Sequence, residues 1–246
     1  MNGSNAFAGR TFKELLRDQL NLAFGLGFPL VLLLLMTAIQ ANIPVNLFEL
    51  NVLTPGVAIF GLSFVTLFSA TLISKDRTTS FLMRLFASPL GASEYIAGYT
   101  LPLLPLSLTQ TLICYACAAA LGMQMTANVL LAILTTLPSE LLFIGLGLLC
   151  GSVFNDKQVG GICGALLTNL SAWLSGTWFD LSLVGGAFEK IAYLLPFAHA
   201  VDAGRAAVAG EYAAIMPHLW WVIGYAAVMF AVAVAVFRRK MHRDNV

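Results

Sequence analysis

Long apolar runs without a single charge dominate this 246-residue chain and restrict what it can fold into. A bilayer core about 30 Å thick is crossed by roughly 20 apolar residues in helical form. Stretches lacking Asp, Glu, Lys and Arg cover residues 20–48, 50–74, 95–139, 141–155, 158–179 and 216–237. The third is too long for one crossing, and its segment 122–128 (GMQMTAN) supplies a polar, turn-compatible break. The pattern predicts an all-α membrane protein with six transmembrane helices, near 21–41, 54–74, 96–121, 128–153, 159–177 and 218–237. The chain is 59% hydrophobic and 10% charged, whereas soluble domains carry about a quarter charged residues. It has too little polar surface to cover a water-soluble body, so a soluble enzyme is excluded.

The net charge of +1 decides nothing, but the placement of the cations does. With six spans, one side receives Arg10, Lys13, Arg17, Lys75, Arg77, Arg84, Lys157, Arg238, Arg239, Lys240 and Arg243. The other side holds Lys190 and Arg205. This asymmetry predicts that the first side, with both termini, is cytoplasmic. Trp173, Trp178, Trp220 and Trp221 fall near the outer ends of spans five and six, as interfacial anchors do. The first apolar run is long enough to span and has no cleavable leader pattern. The expected domains are a tail and interfacial helix over 1–21, a transmembrane domain over 22–237 and a basic tail over 238–246.

Residues 1–9 are small and polar, and disorder is expected there. Residues 10–20 (RTFKELLRDQL) then place Phe12, Leu15, Leu16 and Leu20 on one helical face and Arg10, Lys13 and Arg17 on the other. Such a helix lies along a membrane surface. It serves as an anchor, or also as a contact for a cytoplasmic partner. Thr54-Pro55-Gly56 is expected to open span two, because proline costs nothing in a helix's first turn. The cytoplasmic loop 75–95 (KDRTTSFLMRLFASPLGASEY) is longer than a simple connection requires. Phe81, Leu82, Leu85 and Phe86 recur at helical spacing beside polar Asp76, Arg77 and Arg84, and Ser88-Pro89 ends the pattern. This is a docking or interfacial element. The outer segment 178–217 reads as two short re-entrant or interfacial helices broken at Pro196.

Glu140 falls within span four, where a central acidic group costs roughly 3 kcal/mol and faces protein or water. It either lines a substrate or ion cavity or cross-links helices near Pro138. Gly147 and Gly151, and Gly160 and Gly164, have the spacing that lets membrane helices approach closely. Cys114, Cys117, Cys150 and Cys163 lie within spans. The 114/117 pair shares a face and reads as a metal or redox pair or as small packing residues. His199, His218 and His242 are scattered and read as surface or interfacial residues.

No GxxxxGK[ST], HExxH or GxSxG motif occurs, no clustered metal set is visible, and no tract is basic enough for a nucleic-acid partner. Catalytic residues and metal ligands are therefore not assigned.

Taken in order, these parts resemble the permease subunit of the type-2 family of ABC exporters. Thr54-Pro55-Gly56 matches the family's Pro-Gly entry to span two. Asp76-Arg77, Thr78-Thr79, Phe81 to Phe86, Ser88-Pro89 and Glu94-Tyr95 match its first cytoplasmic loop. Ser175-Gly176-Thr177-Trp178-Phe179 and Pro196 to Arg205 match its outer region. Departures are Thr78 for a common glycine, Tyr99 for a common lysine and Asp180 for a frequent proline. The resemblance implies a plasma (inner) membrane exporter of hydrophobic or amphipathic molecules: drugs, antibiotics, lipids or lipid-linked glycans. It implies no cofactor in this chain, a separate ATP-binding subunit carrying ATP and Mg, and a second permease copy or paralogue. It further implies coupling through Asp76, Arg77, Thr79, Phe81, Arg84 and Phe86, together with the helix of Arg10, Lys13 and Arg17. An ion-coupled secondary transporter using Glu140, and a non-transporting assembly or immunity protein, are the alternatives.

Overall fold

A computed structural model describes residues 3–78 and 91–243, with side chains over 6–78 and 91–239. Helix α1 (Gly3–Arg17) runs into α2 (Gln19–Gln40), and α3 (Leu50–Thr78) follows. Then come α4 (Ala92–Ala120), α5 (Ala127–Thr135) and α6 (Leu137–Val153). A stretch in three pieces succeeds them: α7 (Asp156–Val159), a π-helical segment (Gly160–Leu167) and α8 (Thr168–Leu174). After a 3₁₀ turn (Leu181–Leu183), α9 (Gly186–Leu194) and α10 (Pro196–Ala209) lead into α11 (Tyr212–Arg243).

Among the described residues, five helical stretches are long and apolar enough to cross a membrane: α2, α3, α4, the α5–α6 pair over Ala127–Val153, and α11. The expected fifth span, 159–177, is not among them, because the helical stretch 156–174 is split by its π segment. The break between α5 and α6 falls at Thr136, just before Pro138, which has no N–H to give the preceding turn. Thr135 and Thr136 turn their hydroxyls back onto the carbonyls of Ala132 and Ile133 at 2.7 Å. A polar pair is thereby satisfied inside the apolar run.

Helix α3 is the axis of the bundle. Of its most apolar stretch 83% is buried, against 17% for α2 and for α11. It packs against α2, α4, α6, α10 and the π segment. The approach of α6 is closest because Gly147 and Gly151 face α3. A Cβ at Gly147 would lie 2.5 Å from the Thr66 carbonyl, and one at Gly151 would lie 2.6 Å from the Ala70 carbonyl. Neither partner is a side chain that could move aside. The first small-residue pair therefore seats α6 on α3 within the chain, whereas Gly160 faces open space.

Two expectations about the early chain are corrected. Helix begins at Gly3, not near residue 10, because Phe7 is buried edge-on against Tyr99 and Tyr95 of α4. That single ring anchors a segment whose composition carries little other helical signal. The face of α1 that packs on the chain is Phe7, Thr11 and Leu15, while Phe12 (41%), Leu16 (52%) and Leu20 (69%) remain exposed. In α3, Pro55 lies more than one turn inside the helix, which starts at Leu50. The two outer helices of segment 178–217 do break at Pro196, with Leu195 extended between them.

Candidate functional site

At the end of the bundle where α1, the close of α3 and the start of α4 meet, a charged residue is almost wholly enclosed. Asp76 is 2% exposed. Arg10 donates to both of its oxygens at 2.8 Å, and the Tyr99 hydroxyl donates to Oδ2 at 2.8 Å. The same guanidinium reaches Glu14, one turn further along α1, at 2.8 Å. The Asp76 hydrogen bond raises the pKa of Arg10 further above its usual value, and burial raises that of Glu14. A planar guanidinium suits this arrangement because it fills both carboxylate oxygens at once.

The next residue ties in α6. Arg77 donates to the carbonyls of Gly151 at 2.9 Å and Phe154 at 3.1 Å, groups left open where that helix ends. Ser74 Oγ lies 3.0 Å from Asp156 Oδ1 at the start of α7. Tyr95 of α4 stacks near Phe237 of α11 at 6.0 Å. Residues 74–77, with Tyr95, thus gather α1, α3, α4, α6, α7 and α11 at one end.

Of the residues named for coupling, Asp76 and Arg77 are in this node, and Asp76 is a buried anchor, not a surface contact. Thr79, Phe81, Arg84 and Phe86 lie outside the described residues. Of the interfacial cations, Arg10 belongs to the node, while Lys13 and Arg17 are exposed on α1. Arg17 borders a cavity of about 450 Å³ between the α1–α2 joint and α3, with Glu14, Asp18 and Lys75 at its rim and Phe68 and Leu72 below.

Glu140 is wholly buried. Its carboxyl group sits 3.0 Å from Ser107 Oγ and 3.3 Å from Thr111 Oγ1, both on α4, and 3.3 Å from Thr136 Oγ1 at the α5–α6 break. Three hydroxyls from two directions give it a polar nest, which joins α4 to the start of α6. Of the two readings offered by the sequence, this geometry is that of a helix cross-link.

A separate groove of about 540 Å³ runs between α2, α3 and α8. Its walls are aromatic: Phe28, Phe60, Phe64, Trp173 and Trp178. Phe60 meets Phe64 and Trp178 edge-on at 5.9 and 5.5 Å. Sequence reasoning placed these tryptophans at the bilayer interface but did not bring Trp178 onto Phe60.

Two further pairings were not anticipated. His199 and His218 meet, Nδ1 to Nδ1, at 2.8 Å. The thiols that come within hydrogen-bonding contact are Cys150 and Cys163, not Cys114 and Cys117. Among the described residues no cluster of three or more His, Cys, Asp or Glu side chains forms a metal site.

A bundle of apolar helices gathered at one end by a buried ion pair, with an aromatic groove along its flank, is the frame of a polytopic membrane protein. The family model described as ABC-2 type transporter matches residues 5–209. The chain belongs to that family and is a transmembrane ABC permease. No curated protein matches it.

Proposed function

We propose that this chain is the permease subunit of an ATP-driven exporter of hydrophobic or amphipathic molecules. A separate ATP-binding subunit carries the ATP and Mg, and a second permease copy or paralogue completes the path. In this reading the helical stretch 156–174 crosses as the fifth of six spans, and α9 and α10 lie in the outer leaflet. Both termini are cytoplasmic in a plasma (inner) membrane, and the distribution of Lys and Arg supports that orientation. The exposed Phe12 and Leu16 of α1, with Leu20 at the start of α2, then face lipid, and α1 is an interfacial helix.

The observation that carries the proposal is the Arg10–Asp76–Tyr99 node. It binds α1 to both helices flanking segment 79–90, while Arg77 binds the same corner to α6. A partner that closed on that segment when it bound nucleotide would therefore move four helices together. Such a load biases a two-state bundle between inward- and outward-open forms. The groove walled by Phe28, Phe60 and Trp178 offers an apolar solute a surface without a fixed charge.

Affinity purification from native membranes tests the reading directly. A stoichiometric partner with a GxxxxGK[ST] loop, and an ATPase rate raised by substrate, are the expected results. Arg84→Glu is expected to leave the permease folded and the complex unable to link hydrolysis to transport. Efflux that follows the proton gradient and ignores ATP would instead make Glu140 an ion relay and sink the proposal.

A further inference from the structure

Helix α10 packs along α11, and the elbow that precedes it adds side-chain hydrogen bonds to α11. Helix α9 ends at Leu194, Leu195 is extended, and α10 starts at Pro196. The Leu194 carbonyl accepts from Tyr225 OH at 2.8 Å and from Trp221 Nε1 at 3.3 Å, both on α11. The remaining tie is His199 Nδ1 against His218 Nδ1 at 2.8 Å. The His199 ring is flanked by Tyr193 and Trp221, with centres 5.6 and 5.2 Å away.

Proton counting defines what this tie tolerates. His199 Nε2 lies 2.9 Å from the Tyr193 carbonyl, which only accepts, so Nε2 carries a hydrogen. The Nδ1 to Nδ1 contact needs one proton between two nitrogens. In the neutral pair His199 offers its lone pair and His218 donates. A proton on His218 Nε2 leaves that bond intact. A second must go to His199 Nδ1. It then sets N–H against N–H and places two positive rings 5.1 Å apart between centres.

We propose that His199 and His218 form a proton-operated latch. It holds the α9–α10 elbow on α11 while the pair carries at most one added proton and releases it when both rings are charged.

The surrounding charges are few. On α10, Asp202 accepts from Tyr193 OH at 3.0 Å and lies 3.8 Å from Arg205, which offsets its pull on a charged His199. Glu211 lines the cavity that His218 shares with Asp202 and Arg205, and α3 contributes the neutral Asn51 and Val52 to it. Asp180 and Glu189 lie within electrostatic reach of the Tyr193 hydroxyl. Burial keeps the His199 imidazole below its usual pKa of 6.5; the Tyr193 carbonyl opposes it, His218 adds to it and Asp202 opposes it more weakly. A depressed pKa stabilises the closed elbow above pH 6.5, and this contribution is lost as pH falls through the lower folded value.

That external pH works the latch rests on the orientation given under Proposed function; the latch itself does not. Hydrogen exchange on the full-length permease in nanodiscs exposes both faces to one buffer and needs no ATPase. Failure here and failure of the exporter reading are therefore distinguishable. Between about pH 7.5 and about pH 5.5, peptides over 187–199 are expected to lose about tenfold in protection, corrected for intrinsic rates, while α3 peptides stay unchanged. His199→Gln and His218→Asn, which hydrogen-bond without titrating, are expected to flatten the profile. Should either variant open the elbow at every pH, the wild-type profile and the other variant decide. A flat wild-type profile, or a slope that survives in both variants, overturns the proposal.

Discussion

Arg10 grips Asp76 through two parallel 2.8 Å hydrogen bonds across 66 positions of sequence. The carboxylate is enclosed, and the guanidinium is about one-third exposed. Breaking a buried ion pair by removing one partner strands the other charge and costs about 3–5 kcal/mol. Because Arg10 is partly solvated, Arg10→Ala is expected to fall near the lower end, about 3 kcal/mol. Thermal unfolding of the purified permease measures it. Asp76→Asn keeps the shape and the Tyr99 contact and should cost less. Equal melting temperatures for wild type and Arg10→Ala would show that the pair contributes nothing.

The contact between α3 and α6 gives a second test. A Cβ at Gly147 or Gly151 would meet backbone carbonyls at 2.5 and 2.6 Å. Gly151→Val is expected to separate the helices and abolish folded expression. Gly160→Ala, where nothing lies within 4 Å, should be neutral in the same assay. Over-packing a seated interface costs about 1–3 kcal/mol or more, so fluorescence-detected size exclusion should distinguish the two variants.

Glu140 supplies a third. If its role is to join α4 to the α5–α6 break, Glu140→Gln can still bond Ser107, Thr111 and Thr136. Transport by Glu140→Gln is expected within about twofold of wild type, because the amide satisfies the same buried hydroxyls. Glu140→Leu leaves those hydroxyls facing an apolar group and should lower stability by about 1–3 kcal/mol. Loss of transport in a well-folded Glu140→Gln would mean that the carboxyl proton itself is used.

The thiols of Cys150 and Cys163 are in contact between α6 and the π segment. A two-electron oxidant such as copper–phenanthroline with oxygen is expected to join them and release two protons. Peptide mapping would show the 150–163 link, with Cys114 and Cys117 still free. A 114–117 link in its place would contradict the arrangement.

Much of this architecture was legible as hydrophobic length. Runs of apolar residues predict crossings wherever the helix is continuous, and α2, α3, α4 and α11 follow them within a few residues. The π break inside stretch 156–174 was not legible, because composition reports apolarity and not helical pitch, and the π segment has the same apolar content as an α-helix. Helix α1 began early because one ring, Phe7, found Tyr99 and Tyr95 more than 80 positions away. The same limit applies to the site. Asp76 and Arg77 stood out as polar residues at the end of a span, but burial of Asp76 depends on Arg10 and Tyr99, which only tertiary packing brings near. His199 and His218 looked scattered since most of α10, the Gly210 bend and the first turns of α11 separate them.

The π segment at Gly160–Leu167 has a mechanical meaning. Its turns close through bonds to the fifth residue, not the fourth, so the same eight residues wind through fewer turns than they would as α-helix. Gly160 and Gly161 have no neighbour pressing on their α-carbons to resist a change of winding. Rewinding to α-helical pitch would rotate α8, and with it Trp173 on the aromatic groove, about the helix axis without tilting either end. A change of winding there would thus act on the groove wall as a screw joint does, a coupling that a straight span would lack.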